Sequence, residues 1–361
     1  MYGAIALCEK MYNTYLTLLV PAIAAFAITV IATKFFMSYM LESGVIAIDY
    51  NKKAKPKIPS AGGVAVSFGI AIGVLTYIFG SSFPSPSHPF YLPVADTNIL
   101  FAFILSVILI TLVGFIDDIN VKSSATSTTG MKDIRKGLKQ WQKPFLTLIG
   151  AIPLVAINAG VSSVAVPFVG NIYLGLIYPL LIIPLAIIFG ANAFNLLGGF
   201  NGISTGSGIV ISAGMLIYSI LFGTYIGALI SAILFAALVA FAFFDFYPSK
   251  LLPGDSFTYG IGGALIALMI IGNMESFGIV IFMPYIIEFI LHLRGRFNIT
   301  DLGKLQKDMT FKAPYGKKIY SLTHVIMNMK KCKEYEVSAY MWLINIGFVV
   351  LAFALKLLKL L

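Results

Sequence analysis

The chain is a succession of apolar runs, each about long enough to cross a bilayer, and that leaves it few ways to fold. A helix needs roughly 20 apolar residues to span the hydrocarbon core. Backbone polar groups inside lipid must be satisfied within their own segment, so each run is read as a helix. Such runs occupy residues 16–36, 62–80, 97–116, 144–162, 172–190, 203–223, 226–244, 257–273, 277–291 and 339–360. The expected fold is therefore all-α, a polytopic membrane protein with about ten transmembrane helices in a single domain over 1–361. The eighth and ninth runs are short, and the fourth is diluted by Asn158, Ser162 and Ser163. Only Thr224-Tyr225 separates the sixth from the seventh, which predicts an antiparallel helical hairpin.

Composition excludes a soluble alternative, since 59% of the residues are hydrophobic and only 11% are charged. The formal charge of +10 does not point to nucleic acid, because Lys and Arg are confined to a few loops between the apolar runs. Cys8 and Cys332 stand at opposite ends of the chain and build neither a disulfide framework nor a zinc site. The run from Leu16 to Phe36 exceeds the roughly 7–15 residues of a signal-peptide core, so it is read as a retained span.

Lysine and arginine then orient the bundle. With ten spans and both termini outside, the cytoplasmic loops are 37–61, 117–143, 191–202, 245–256 and 292–338, with 4, 6, 0, 1 and 10 Lys/Arg residues. That is 21 of the 25 in the chain. The polar chemistry falls on the same side, so the working face is expected to be cytoplasmic.

Five constellations lie there. Asp117-Asp118 closes the third run just before a basic loop. Ionised groups are costly in hydrocarbon, roughly 3 kcal/mol at a helix centre, so adjacent carboxylates at a boundary are either a solvated helix end or a site for metal and phosphate. Asn192-Ala-Phe-Asn195-Leu-Leu-Gly198-Gly199-Phe-Asn201-Gly202 carries no charge between two spans. Its amides cap helix ends or serve a hard cation and a nucleobase. Pro253-Gly254-Asp255-Ser256 opens the eighth run, where Asp255 is a helix cap or a third carboxylate for the same face. His292-Leu-Arg294-Gly-Arg296 opens the longest loop, and its arginines suit phosphate or ordinary membrane anchoring. Glu288 sits four residues before His292 and is read as its structural partner. Finally, the loop from Asp49 through Asn51 and Lys52 to Gly63 is basic and rich in Pro and Gly, fit to hold anionic headgroups or to shape access for a lipid phosphate.

In this order, these motifs resemble the polyprenyl-phosphate N-acetylhexosamine-1-phosphate transferases. That superfamily, glycosyltransferase family 4-like, includes bacterial phospho-MurNAc-pentapeptide translocase and eukaryotic dolichyl-phosphate GlcNAc-1-phosphotransferase. The resemblance runs over nearly the whole chain. It implies catalytic roles for Asp117, Asp118 and Lys143, the last as a pyrophosphate-binding lysine at the mouth of span 4. It implies Asn195 and Asp255 as ligands of Mg²⁺, with Mn²⁺ as a substitute. Asn201 then contacts uracil, and Asn192, Gly198, His292, Arg294 and Arg296 serve the nucleotide and sugar. Asn51 and Lys52 lie on the lipid-phosphate path, and His324 is a further contact. The bacterial pentapeptide enzymes carry acidic residues in the Asn loop and a triple-His motif in the last loop. This chain has Gly198 and Asn201 in the first and Arg294-Gly-Arg296 in the second, which aligns it with the eukaryotic and archaeal branch.

The implied partners are a UDP-N-acetylhexosamine, a polyprenyl or dolichyl phosphate and membrane lipids, with no nucleic acid and with room for a homodimer. The implied reaction gives a lipid-pyrophosphate-sugar and UMP, the first membrane step of glycan assembly, N-glycan assembly in this branch. The implied location is an archaeal cell membrane, or the endoplasmic reticulum in a eukaryote. The competing readings are a pentapeptide-type transferase, a transporter or lipid flippase with polar groups near the midplane, and a scaffold whose basic loops hold anionic lipid.

Overall fold

Most of the expected apolar runs become helices, though the fourth stops at Ala156 and the fifth is entered through a strand over Gly170–Tyr173. The computed structural model describes residues 2–83, 85, 91–92, 94–119, 121–123, 133–135, 138–161, 163–166 and 170–361. Side chains are described from residue 17 onward, except at 95, 121–123, 133–135, 163–166 and 171. The side chains of Cys8, Lys10, Lys122, Lys132, Arg135 and Lys136 therefore lie outside the described residues.

The helices are α1 (Tyr2–Glu42), α2 (Gly63–Ser82), α3 (Val94–Asp118), α4 (Gln142–Thr147), α5 (Ile152–Ala156), α6 (Ile183–Asn195) and α7 (Ile203–Leu221). They continue with α8 (Tyr225–Asp245), α9 (Gly254–Ile271), α10 (Glu275–Ile281), α11 (Met283–Arg294), α12 (Leu322–Met329) and α13 (Glu334–Leu357). Among the described residues, eight helices are long and apolar enough to cross a membrane, α6 being extended at its start by a helical turn from Tyr178. A ninth span forms if α10 and α11, bent by 57° at their junction, count as one. Pro284 in the first turn of α11 supplies no N–H to the preceding turn, which accounts for the break. The fourth expected span is instead a shorter apolar helix over Gln142–Ala156. It ends at Asn158, whose φ of +50° cannot continue a right-handed helix. The expected hairpin forms between α7 and α8, where the Thr224 hydroxyl caps α8 by accepting the Gly227 N–H at 3.0 Å.

The bundle is organised around α9, 94% of whose spanning window is buried. Helices α3 and α6 flank it, with α2 beside them, while α1 packs on α2 and α8 and α13 packs on α7. Glycines let two neighbours reach the α9 backbone. A Cβ on Gly63 would lie 2.1 Å from the Phe257 nitrogen, and one on Gly114 would lie 2.3 Å from the Asp255 carbonyl oxygen. Lipid-embedded helices associate through this kind of close small-residue contact.

Short antiparallel ribbons, not foreseen in an all-α reading, organise the loops. Ile46–Ile48 pairs with Lys57–Pro59, and Thr310–Lys312 pairs on its two sides with Lys304–Leu305 and Cys332–Lys333. They satisfy the backbone of segments that leave the helices to wall a cavity. The connections α1–α2, α6–α7, α8–α9 and α11–α12 all contribute to that cavity, as does the last residue of α3.

Candidate active site

The site begins where α3 ends. Asp118 uses both carboxylate oxygens to cap α9: Oδ1 accepts the Asp255 N–H at 2.7 Å and Oδ2 the Ser256 N–H at 2.9 Å. These amides are among the donors that a helix start leaves unpaired, and the helix dipole favours an anion there. Gly254 makes the approach possible. Its φ is +72°, and a Cβ on it would sit 2.4 Å from Asp118 Oδ2. One aspartate of the adjacent pair thus holds the backbone that carries a third, 137 residues away.

Asp117 turns toward Lys143, which rises from the first turn of α4. The Lys143 ammonium lies 2.6 Å from Asp117 Oδ2 and 2.9 Å from Asp255 Oδ2, and all three residues are buried. Asp117 Oδ1 accepts the Leu138 N–H at 2.7 Å, which draws in the segment before α4. Across from Asp255, Asn195 at the end of α6 accepts the Thr258 hydroxyl proton at 2.7 Å on its side-chain oxygen.

These groups meet at a cavity of about 400 Å³. Its walls include Ile46 to Asn51, Asp118, Asn195, Gly198 to Asn201, Leu252 to Asp255, Thr258, and Thr300 to Leu302. Of the residues singled out in the sequence, Asn51, Asp118, Asn195, Gly198, Asn201 and Asp255 line it, and Asp117 and Lys143 stand directly behind Asp255. Others lie elsewhere. Asn192 donates to the Thr147 hydroxyl at 3.0 Å and the Ile188 carbonyl at 2.8 Å, tying α6 to the end of α4. His292 pairs with Glu288 at 2.9 Å, and Glu288 also accepts the Leu322 N–H at 2.8 Å. Arg294 donates to the Ile319 carbonyl at 2.6 Å and lies 4.9 Å from the centre of the Tyr320 ring. Arg296 is exposed with a φ of +53°, and His324 is fully buried behind the last loop.

Two acidic residues at the site were not singled out in the sequence. Asp301 lines the cavity and accepts the Gly199 N–H at 2.9 Å. Burial pushes its carboxyl up to about 6, with the neighbouring Glu288 charge adding to the effect. Gly199 leaves room for this contact, since a Cβ there would lie 2.6 Å from Asp301 Oδ2. Glu334, the first residue of α13, accepts the Asn201 N–H at 3.0 Å and an Asn51 amide proton at 3.2 Å, and pairs with Lys52. Lys52 also lies 3.2 Å from Asp49 and donates to Asn201 at 2.7 Å. No local pattern announces either acid: Glu334 follows a lysine run, and Asp301 sits in an unremarked Asn-Ile-Thr-Asp stretch.

The donor set suits a hard divalent cation. Asp117, Asp118 and Asp255 bring three formal negative charges to the site against the single ammonium of Lys143. The Asn195 and Asp255 side chains both line the cavity as oxygen donors. Among the described residues no three Asp, Glu, His or Cys side chains are grouped so as to hold a metal ion by themselves. Mg²⁺ characteristically takes one or two protein oxygens and completes its shell with water and substrate phosphates, so an open set of this kind fits it.

The glycosyl transferase family 4 sequence model matches residues 100–273, which hold most of α3, the Asn-rich turn and all of α9. Two similar proteins carry the provisional name UDP-N-acetylglucosamine–dolichyl-phosphate N-acetylglucosaminephosphotransferase. The one from Sulfolobus acidocaldarius is 30% identical over 95% of this chain and 97% of its own. The one from Saccharolobus solfataricus is 32% identical over 94% and 97%. The protein of that name from Dictyostelium discoideum is 24% identical over 72% of this chain and 67% of its own.

Proposed function

Since the chain belongs to glycosyl transferase family 4, a multi-pass membrane sugar-1-phosphate transferase, we propose that it moves N-acetylglucosamine-1-phosphate from UDP-N-acetylglucosamine to a dolichyl-type polyprenyl phosphate. The observation that carries the reading is the convergence of three segments, ending at Asp118, turning at Asn195 to Asn201 and starting at Asp255, on one cavity. Separate cavities would have left no place for two phosphates to meet.

In this reading an oxygen of the acceptor phosphate bonds to the β-phosphorus of the donor. The bond from that phosphorus to the bridging oxygen breaks, and UMP leaves with the electron pair. Both reactants are anions, and unit charges ~4 Å apart repel by ~4 kcal/mol at an effective dielectric near 20. The principal task is therefore positioning and charge compensation. Lys143, held behind the cavity wall between Asp117 and Asp255, compensates their charge and fixes the Asp255 carboxylate. Asp118 sets the turn that presents Asp255. The acceptor phosphate is already ionised near neutral pH, so Asp117 orients Lys143 rather than removing a proton. Asn195 and Asp255 would hold Mg²⁺, which when bound neutralises phosphate charge as a Lewis acid. Residues of the lysine-bearing loops 37–61, 245–256 and 292–338 wall the cavity, and the positive-inside rule supports a cytoplasmic face for it.

The test is release of UMP by the purified full chain given UDP-N-acetylglucosamine, dolichyl phosphate and Mg²⁺, with other UDP-sugars and unsaturated carriers in parallel. We expect turnover with N-acetylglucosamine and its loss by at least about a thousandfold in Asp255→Ala. Absence of UMP release with every carrier and sugar rejects the reading.

A further inference from the structure

Both backbone groups of Asn201 are taken up by one helix. Glu334 Oε1 accepts the Asn201 N–H at 3.0 Å, and one turn along α13 the Ser338 hydroxyl donates to the Asn201 carbonyl at 2.8 Å. A turn further on, the Trp342 indole N–H donates to the Gly202 carbonyl at 3.1 Å, and Asn345 then donates to the Ser207 hydroxyl at 3.1 Å. Spacings of four, four and three residues put these four side chains on one face of α13. The fit is close at the indole. A Cβ on Gly206 would lie 2.2 Å from the Trp342 ring nitrogen, and the ring stacks on Phe246 with centres 4.8 Å apart. The hydrogen-bond ladder of α7 begins at the Gly202 carbonyl, which accepts the Gly206 N–H at 2.9 Å, so the Asn201 carbonyl lies outside it. Ser338, itself buried, satisfies that group. Asn201 lines the cavity, and none of the four side chains on α13 does.

We propose that this stripe of α13 is the template on which the Asn-rich turn is shaped, with Ser338 and Trp342 as positioning residues for binding of the nucleotide-sugar donor. The inference rests on the function proposed above, with the turn serving the donor, and extends it to the last helix of the chain. The reason lies in the turn itself. Three of the residues from Gly198 to Gly202 are glycine, and Gly202 has a φ of +74°. Glycine loses more backbone freedom on ordering than any other residue, so such a turn is loose unless something outside it fixes its peptide groups. Fixing it in the free protein removes that ordering cost from the binding step. Side chains one helical turn apart that hold the N–H and the C=O of a single residue prevent its peptide planes from rotating. Asp255 and Lys143 rest on α3 and α4 instead, so loosening the grip of α13 leaves them in place.

The experiment compares wild type, Ser338→Ala, the double variant Ser338→Ala/Trp342→Phe, and Val349→Ala, each as the purified full chain. Trp342→Phe keeps an aromatic ring beside Phe246 and removes the N–H. Val349 packs α13 against Gly214 of α7, away from the turn, so its truncation loosens the same helix pair without touching the turn. Amide hydrogen exchange over residues 198–202, read by mass spectrometry, should quicken about tenfold in the double variant, the size of one good hydrogen bond, and stay within about twofold of wild type in Val349→Ala. The KM for UDP-N-acetylglucosamine should rise about tenfold in the double variant, with kcat and the KM for dolichyl phosphate within about twofold of wild type. Ser338→Thr, which keeps the hydroxyl, should behave as wild type. Ser338→Ala is the smaller change and carries the test, with the same directions, if the double variant does not fold. Unchanged exchange at the turn overturns the proposal. So does faster exchange with an unchanged donor KM, an equal rise in both KM values, or the same effects in Val349→Ala. A wild type that releases no UMP, while exchange responds as expected, counts against the transferase reading and leaves the grip of α13 on the turn standing.

Discussion

Asp118 shows how much one side chain can decide. A carboxylate accepting two backbone N–H groups at a helix start is a charge-assisted pair, and such bonds contribute about 1.5–3 kcal/mol each. Asp118→Asn keeps one acceptor and offers an NH₂ to the other amide, so the first turn of α9 must shift. We expect activity to fall about tenfold to a hundredfold, together with a lower unfolding midpoint; an unchanged kcat would remove Asp118 from the positioning of Asp255. Away from the cavity, His324 is fully buried and its Nδ1 accepts the Tyr320 N–H at 3.3 Å. Burial holds the imidazole down to about 4 from an ordinary 6.5. Between those values the unfolded chain binds a proton that the native chain excludes, so stability rises with pH through that window. The contribution is complete above pH 6.5 and is lost as pH falls toward 4. Unfolding midpoints should therefore drop on acidification more in wild type than in His324→Leu, and equal pH dependence would contradict it.

At the scale of elements, backbone approach to α9 positions the chemistry. Gly114 in α3 sits against the Asp255–Ser256 backbone and Gly63 in α2 against Phe257, so the turn bearing Asp255 is gripped from two sides. Overpacking at such a contact costs about 1–3 kcal/mol. Gly114→Ala should lower both the unfolding midpoint and turnover, whereas Gly80→Ala, where a Cβ would meet nothing within 4 Å, should leave both unchanged. Equal behaviour of the two variants in a thermal scan and a UMP-release assay would show that this contact is slack. The helical runs themselves were legible in the sequence because apolar length is a local property. The breaks at Asn158 and Pro284 were legible only as punctuation, since whether such a residue bends a span or ends it depends on what packs beside it.

At the scale of the molecule, three segments meet through one cation. Lys143 stands between carboxylates from α3 and α9, and leaving a buried charge uncompensated costs about 3–5 kcal/mol. Lys143→Met should destabilise the whole bundle as well as abolish transfer. Adding Asp255→Asn to that variant should restore part of the lost stability and none of the activity. If the double variant is no more stable than the single one, the ion pair does not join the segments energetically.

By itself the sequence determined that the chain crosses a membrane many times and that Asp117-Asp118, the Asn-rich turn and Gly254-Asp255 are candidates for one site. Apolar run length and residue chemistry can be read along the chain. Tertiary structure alone decided what each candidate faces. It turned Asp118 onto a helix start, Asn192 onto Thr147 and Arg294 onto Ile319, and it brought Asp301 to the cavity and Glu334 onto Asn201. Those partners lie tens to hundreds of residues apart, and their pairing follows from how helices pack around α9, a contact geometry that no local pattern of residues encodes.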